Sequence, residues 1–145
     1  MTPAAIRFLS AAEAAAALEE AAATPPPGGL LLLSAPAAAA WPGAAAVAAM
    51  LGQAAARHPG IPFTAALDCG SAPGLALDAL RQGWRLLVLD NTHPAFPAVV
   101  GAAEEVGATL LPAAPPVLDL STLDLQKPGG RAILARHLRG TPPQP

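Results

Sequence analysis

The fold is decided by residues 62–90, which read PFTAALDCGSAPGLALDALRQGWRLLVLD. An apolar run at Pro62–Leu67 is followed by a helix-forming stretch at Ala72–Gln82, which Gly83 ends, and then by a second apolar run at Arg85–Asp90. Parallel strands need a crossover between them, usually a helix, because a tight turn cannot join them. The segment therefore predicts a strand–helix–strand unit of an α/β protein.

The same alternation extends on both sides of this unit. Ser10 and Glu13 have capping-box spacing at the start of an alanine-rich helix, and Leu30–Leu33 is typical of a buried parallel strand. We predict a five-stranded parallel sheet, either doubly wound (flavodoxin-like) or half of a (β/α) barrel, since sequence patterns do not separate open from closed sheets. The other predicted strands are Ala5–Leu9 and Ala108–Leu111. The other predicted helices are one that follows the Ser10 cap and ends at Ala23, one from Pro42 or Gly43 to Arg57, and Pro94–Val106.

The sequence pattern of the chain changes after Pro112. We assign residues 1–116 to the α/β domain and residues 117–145 to a C-terminal arm, in which Gly130–Leu138 forms a short helix. The alternating pattern already ends at Leu111, so we expect the arm to serve association with another molecule. The alternative is that its short helix packs on the domain itself. Residues 141–145 are expected to fray.

Composition limits the class of partner. Of the 145 residues, 53% are hydrophobic and only 12% are charged, with a net charge of −2. Such a chain is too apolar to be disordered, and it has too few charges to cover the surface of a monomer, which favours a protein partner or a homo-oligomer. The scattered basic residues form no stripe for a phosphate backbone, so we expect no nucleic-acid binding.

Cellular placement follows from the cysteine count and the charge pattern. Cys69 is the single cysteine, so no internal disulfide forms, and a reducing cytoplasm is the simplest location. Nothing between Glu20 and Arg57 is charged. However, that stretch is mostly alanine and contains Pro36 and Pro42, so we predict a strand and a helix there and no membrane span.

Candidate catalytic side chains follow the third and fourth predicted strands. Ligands of open parallel sheets bind outside the carboxyl ends of the strands, and Asp68, Asp90 and His93 stand at two such ends. Carboxylates and an imidazole in one crevice are suited to general acid–base catalysis. The same residue types also cap helices and turns, and this interpretation stays open beside the catalytic one.

Neighbouring residues are candidates for binding a small molecule or phosphate. The interpretation of Cys69 as a buried apolar residue competes with that of a nucleophile activated by the following helix, for which Ser71 is the predicted cap. We predict no metal site and no cofactor. The candidate ligand-binding residues are Gly70, Ser71, Gly74, Asn91 and Thr92.

Residues 60–112 resemble the middle of the class II, metal-dependent fructose-bisphosphate aldolases. The resemblance rests on the strand ending in Leu67-Asp68-Cys69-Gly70 and on the loop Asp90-Asn91-Thr92-His93. It implies that Asp68 is the acid/base residue. Cys69, however, stands where the family has a metal-binding histidine, and the Glu ligand expected after the next strand is missing from Ala108–Pro116.

Two functional hypotheses follow. The first is a non-catalytic, cytoplasmic α/β subunit or small-ligand-binding domain that acts in a protein assembly. The alternative is a small aldolase- or lyase-like enzyme that uses Asp68, Asp90 and His93.

Overall fold

The structure is a computed structural model that describes residues 1–140 of the chain; the expectation that residues 141–145 fray lies outside this range. The predicted alternation of strands and helices is confirmed, with element ends displaced by a few residues. The strands are β1 (Ala4–Arg7), β2 (Leu30–Leu33), β3 (Thr64–Asp68), β4 (Leu86–Val88), β5 (Thr109–Leu111) and β6 (Leu118–Asp119). The helices are α1 (Ala11–Ala23), α2 (Ala44–Arg57), α3 (Pro73–Arg81), α4 (Phe96–Glu105) and α5 (Pro128–Leu138).

The sheet has six parallel strands in the order β5-β4-β3-β2-β1-β6, so the prediction of five strands is corrected. The additional strand is β6, which pairs with β1 through Ile6↔Leu118 and Arg7↔Asp119. A run of two residues carries no period-2 pattern, and pairing with β1 makes it a strand. Strand order reverses at β1, because β2–β5 extend to one side of it and β6 lies on the other.

The chain divides into two compact units. Unit 1 contains Met1–Leu32, Met50–Thr64 and the residues from Pro116 on. Unit 2 contains Leu33–Ala49 and Ala65–Pro115. Each unit is therefore built from segments that are distant in the sequence.

Helix α1 of unit 1 begins at the predicted cap. The Ser10 hydroxyl accepts a hydrogen bond from the Glu13 amide at 3.1 Å. The Glu13 carboxylate reaches back one residue further than a standard capping box and accepts from the Leu9 amide at 2.8 Å. The Ser10 hydroxyl thus binds an amide that the first turn of a helix leaves without a partner, and Glu13 binds the amide of the residue before the cap.

The predicted C-terminal helix is confirmed as α5, and it packs against α1 within unit 1. Leu134 and Leu138 are fully buried, whereas Ile133 is 41% exposed. Arg131 fixes the start of α5, since its Nε donates to the Leu125 carbonyl at 3.0 Å. The apolar face of α5 is covered by its own unit, so covering it needs no neighbouring molecule.

Unit 2 contains β3–β5, α3, α4 and the irregular turn Ala39–Gly43, which packs on α3. The Trp41–Pro42 peptide bond in this turn is cis. The core of the unit includes Leu67, Leu87 and Leu89, each fully buried. No helix among residues 1–140 is long and apolar enough to cross a membrane, as the sequence predicts.

Candidate functional site

The candidate catalytic acids lie at the carboxyl ends of neighbouring strands. β3 and β4 are parallel, with Asp68 opposite Val88. The pairing continues past both strands, because the Cys69 amide donates to the Val88 carbonyl and the Asp90 amide to the Gly70 carbonyl, each at 2.8 Å. The prediction that Asp68 and Asp90 lie at the same edge of the sheet is therefore confirmed.

Asp68 connects the loop after β2 to the end of β3. Its side chain is buried, and Oδ1 accepts from the Gly70 amide at 2.9 Å and from the Ala37 amide at 3.2 Å. Its own amide donates to the Ser34 hydroxyl at 2.9 Å. These bonds bear out the interpretation of Asp68 as a capping residue, and they fix the backbone of two loops that are 31 residues apart in the sequence.

Gly70 is required by backbone conformation and by close approach. Its φ is +57°, in the left-handed region that favours glycine. A Cβ atom at this position would lie 3.1 Å from the Ala37 Cβ. Ala37 itself has a φ of 55°, unusual for a residue with a side chain. The sequence predicts Gly70 as a residue that binds a small molecule or phosphate. In the structure its amide donates to Asp68, and its lack of a side chain lets the two loops approach each other.

The prediction that Ser71 caps the third helix is wrong. Ala72 occupies the N-cap position of α3 and makes no side-chain cap hydrogen bond, while Pro73 begins the helix. Proline fits a first helical position because its missing N–H is not needed there. Ser71 and Gly74 are both exposed beside this helix end.

Cys69 is buried, as the sequence predicts for a small apolar residue. Burial raises the pKa of its thiol to about 12, and the nearby Asp68 carboxylate contributes to the same shift. Both effects disfavour the thiolate, which is the nucleophilic form. The surroundings of Cys69 are thus the opposite of those that activate a cysteine.

The loop after β4 is exposed, and its side chains hydrogen-bond to their own backbone. Asp90 Oδ1 accepts from the Thr92 amide at 2.8 Å, and hydrogen bonds from Thr92 lower the pKa of this exposed carboxyl. His93 Nδ1 accepts from the Ala95 amide at 2.9 Å. Asn91 is exposed beside them. The turn-capping interpretation therefore describes Asp90 and His93 as well as Asp68.

Trp41 is the residue of this edge that sequence reasoning missed. It lies in the turn Ala39–Gly43 and is 84% exposed, although tryptophan is usually well buried. The available signal was a large aromatic residue directly before Pro42-Gly43 in an uncharged stretch. From the sequence alone, this triplet predicts only the start of a helix at Pro42 or Gly43.

Taken together, the three candidate catalytic side chains are each bonded to nearby backbone amides. Within residues 1–140, no group of three histidine, cysteine, aspartate or glutamate side chains is arranged to hold a metal ion. No protein-family model and no curated protein matches this sequence.

Proposed function

We propose that this chain is a non-catalytic, cytoplasmic α/β subunit that binds a protein partner through Trp41 at the carboxyl edge of unit 2. The observation that carries the proposal is the 84% exposure of Trp41. Cytoplasmic placement belongs to the proposal because of the single cysteine. A doubly wound arrangement of helices on the sheet is also part of the proposal, because the strand order reverses at β1.

The energetic argument starts from the area of the indole. An aromatic side chain of this size removes about 200 Å² from water when it is covered. At about 25 cal/mol per Å², covering the 84% of Trp41 that is exposed contributes on the order of 4 kcal/mol of gross hydrophobic free energy to association. Tryptophan is accordingly enriched among the residues that dominate the binding energy of protein interfaces.

The backbone around Trp41 supports the same proposal. Asp68 binds the Ala37 amide, four residues before Trp41, and the Ser34 hydroxyl binds the Asp68 amide. A loop whose conformation is fixed before binding loses less entropy on association. In this proposal Asp68 serves as a structural support for the binding loop.

The chemistry of the partner follows from the charges that are missing. The sequence has no charged residue from Ala21 to Ala56, so the loop offers no ion pair to a partner and does not steer one electrostatically. A complementary surface is therefore an apolar, uncharged patch of a protein, on another copy of this chain or on a different subunit.

The enzymatic alternative has less support. Asp68 Oδ1 is already bonded to two amides. Cys69, which takes the place of the metal-binding histidine of the class II aldolases, is buried and has a raised thiol pKa. We therefore base the proposal on the binding surface rather than on Asp68, Asp90 and His93.

Site-specific photo-cross-linking tests the proposal in cells of the source organism. A benzophenone amino acid replaces Trp41 in one variant and Val106 in the control variant; Val106 is 44% exposed and follows α4 at the other end of the unit. We expect discrete protein adducts from position 41 and none of the same mass from position 106. Equal adduct patterns, or no protein adduct at position 41, would contradict the proposal.

A further inference from the structure

A second candidate site lies in unit 1, where the order of the strands reverses. β1 and β6 are adjacent and parallel, with Arg7 opposite Asp119. The chain crosses from β1 towards β2–β5 and returns to the opposite side of β1 only at β6. In open parallel sheets, the loops that leave such a pair of strands run in opposite directions and open a crevice at their carboxyl ends, where ligands bind.

A cleft of about 580 Å³ includes this place, extends along α1 to Glu19, and is called the switch-point cleft below. Ser10 and Glu13 line it from the segment after β1, and Leu120, Leu123 and Asp124 line it from the segment after β6. Clefts of roughly 300–1,000 Å³ are typical of small-molecule sites. The amino end of α1 also opens here, and a helix amino end favours negative charge.

Two of the carboxylates in the cleft already bind internal donors. Glu13 accepts from the Leu9 amide at 2.8 Å. Asp124 accepts from the Gln126 amide at 3.0 Å, and its other oxygen lies 3.9 Å from the Lys127 ammonium. Neither acid therefore depends on a ligand for a partner.

The third carboxylate and one of the cations are paired with each other. Arg131 lies 3.5 Å from a carboxylate oxygen of Glu19 and 3.6 Å from one of Glu20. Its Nε donates to the Leu125 carbonyl. The Arg131 guanidinium is thus committed to the packing of α5 on α1.

Arg57 and His58 are different. Both line the cleft at the end of α2. In the part of the chain that the structure describes, neither side chain makes a hydrogen bond or an ion pair. Arg57 and His58 are therefore the basic side chains of the cleft that have no partner among the described residues.

We propose that the switch-point cleft binds a small organic anion, whose carboxylate or phosphate head is held by Arg57 and His58. Guanidinium binds both kinds of head through paired N–H donors. The carboxylate oxygens of Glu13 and Asp124 that remain accessible accept from hydroxyl groups on the body of the ligand. This site does not include Trp41, so the failure of one proposal would leave the other unaffected.

Titration of the ¹⁵N-labelled protein, followed by NMR, tests the site with two probes, inorganic phosphate and succinate. We expect saturable shifts of the Arg57 side chain and of the cleft amides, with dissociation constants in the millimolar range for such small probes. The probe that binds more tightly identifies the head group. The absence of saturable shifts with both probes would overturn the proposal.

Matched charge variants complete the test. Arg57→Gln should weaken binding of the better probe about tenfold, the factor expected for one charge-assisted hydrogen bond. Arg136→Gln removes the same charge from an exposed position of α5 that does not line the cleft, and it should leave binding within about twofold of wild type. Equal weakening by the two variants would show general charge attraction and would overturn the proposal.

Discussion

Replacement of Asp68 by alanine tests whether this carboxylate is a structural support. The substitution removes the acceptor for two amides, those of Ala37 and Gly70, at the part-buried junction of two loops. Leaving one buried amide without a partner costs about 1–3 kcal/mol. We therefore expect Asp68→Ala to lower the free energy of unfolding by about 2–5 kcal/mol.

Urea denaturation followed by circular dichroism measures this effect. With a slope of about 2 kcal/mol per M, a loss of 3 kcal/mol lowers the urea midpoint by about 1.5 M. Asp90→Ala is the matched control, because it makes the same chemical change at the same edge on an exposed carboxylate that binds one amide. Hydrogen exchange at the Ala37 amide should also accelerate in Asp68→Ala alone. If the midpoint of Asp68→Ala equals that of Asp90→Ala, the structural role assigned to Asp68 is wrong.

Three further predictions concern single side chains. At pH 8 the ionised fraction of a thiol with a pKa of about 12 is about one-thousandth of that of a thiol with the ordinary pKa of 9.0. Cys69 in the native protein should therefore react with Ellman's reagent at least a thousandfold more slowly than Cys69 in the protein unfolded by guanidinium. Rapid labelling of the native protein would contradict this prediction. Because folding lowers the pKa of Asp90, the Asp90 carboxylate stabilises the fold above the ordinary pKa of 3.8, and this contribution is lost as the pH falls through the folded-state pKa. Wild type and Asp90→Asn should therefore differ in urea midpoint at pH 6 and converge in acid. A difference that does not change with pH would refute the assignment. Leu134→Ala should cost about 2–5 kcal/mol because the side chain is fully buried, whereas the half-exposed Ile133→Ala should cost far less; equal costs would mean that α5 is not packed as described.

Local pattern was sufficient for most elements of the fold. Ser10 and Glu13 marked the start of α1, and four consecutive leucines marked β2. Prolines and glycines marked the ends of the helices that follow. These signals succeed because capping, helix propensity and the apolar character of buried parallel strands each depend on residues close together in the sequence.

Local sequence pattern predicted only part of the candidate site. Strand ends gave Asp68 and Asp90 their common edge, because the carboxyl ends of parallel strands meet there. The partners of Asp68 were not predictable: its Oδ1 binds the amide of Ala37, 31 residues earlier. Only the conformation of the loop after β2 brings that amide into reach, and the same loop leaves Trp41 exposed.

The sequence by itself determined an α/β chain of alternating strands and helices, the carboxyl-edge position of Asp68 and Asp90, the burial of Cys69 and the helix near the C-terminus. Tertiary structure alone decided that Leu118–Asp119 forms a sixth strand beside β1, that strand order reverses there, and that Arg57 and His58 line the cleft at that reversal. The physical reason is the separation along the sequence over which each effect acts. Propensity and periodicity act over a few residues. The docking of Ala37 on Asp68 joins residues 31 positions apart, and the pairing of β1 with β6 joins segments more than a hundred residues apart. No local pattern records the energies of such contacts.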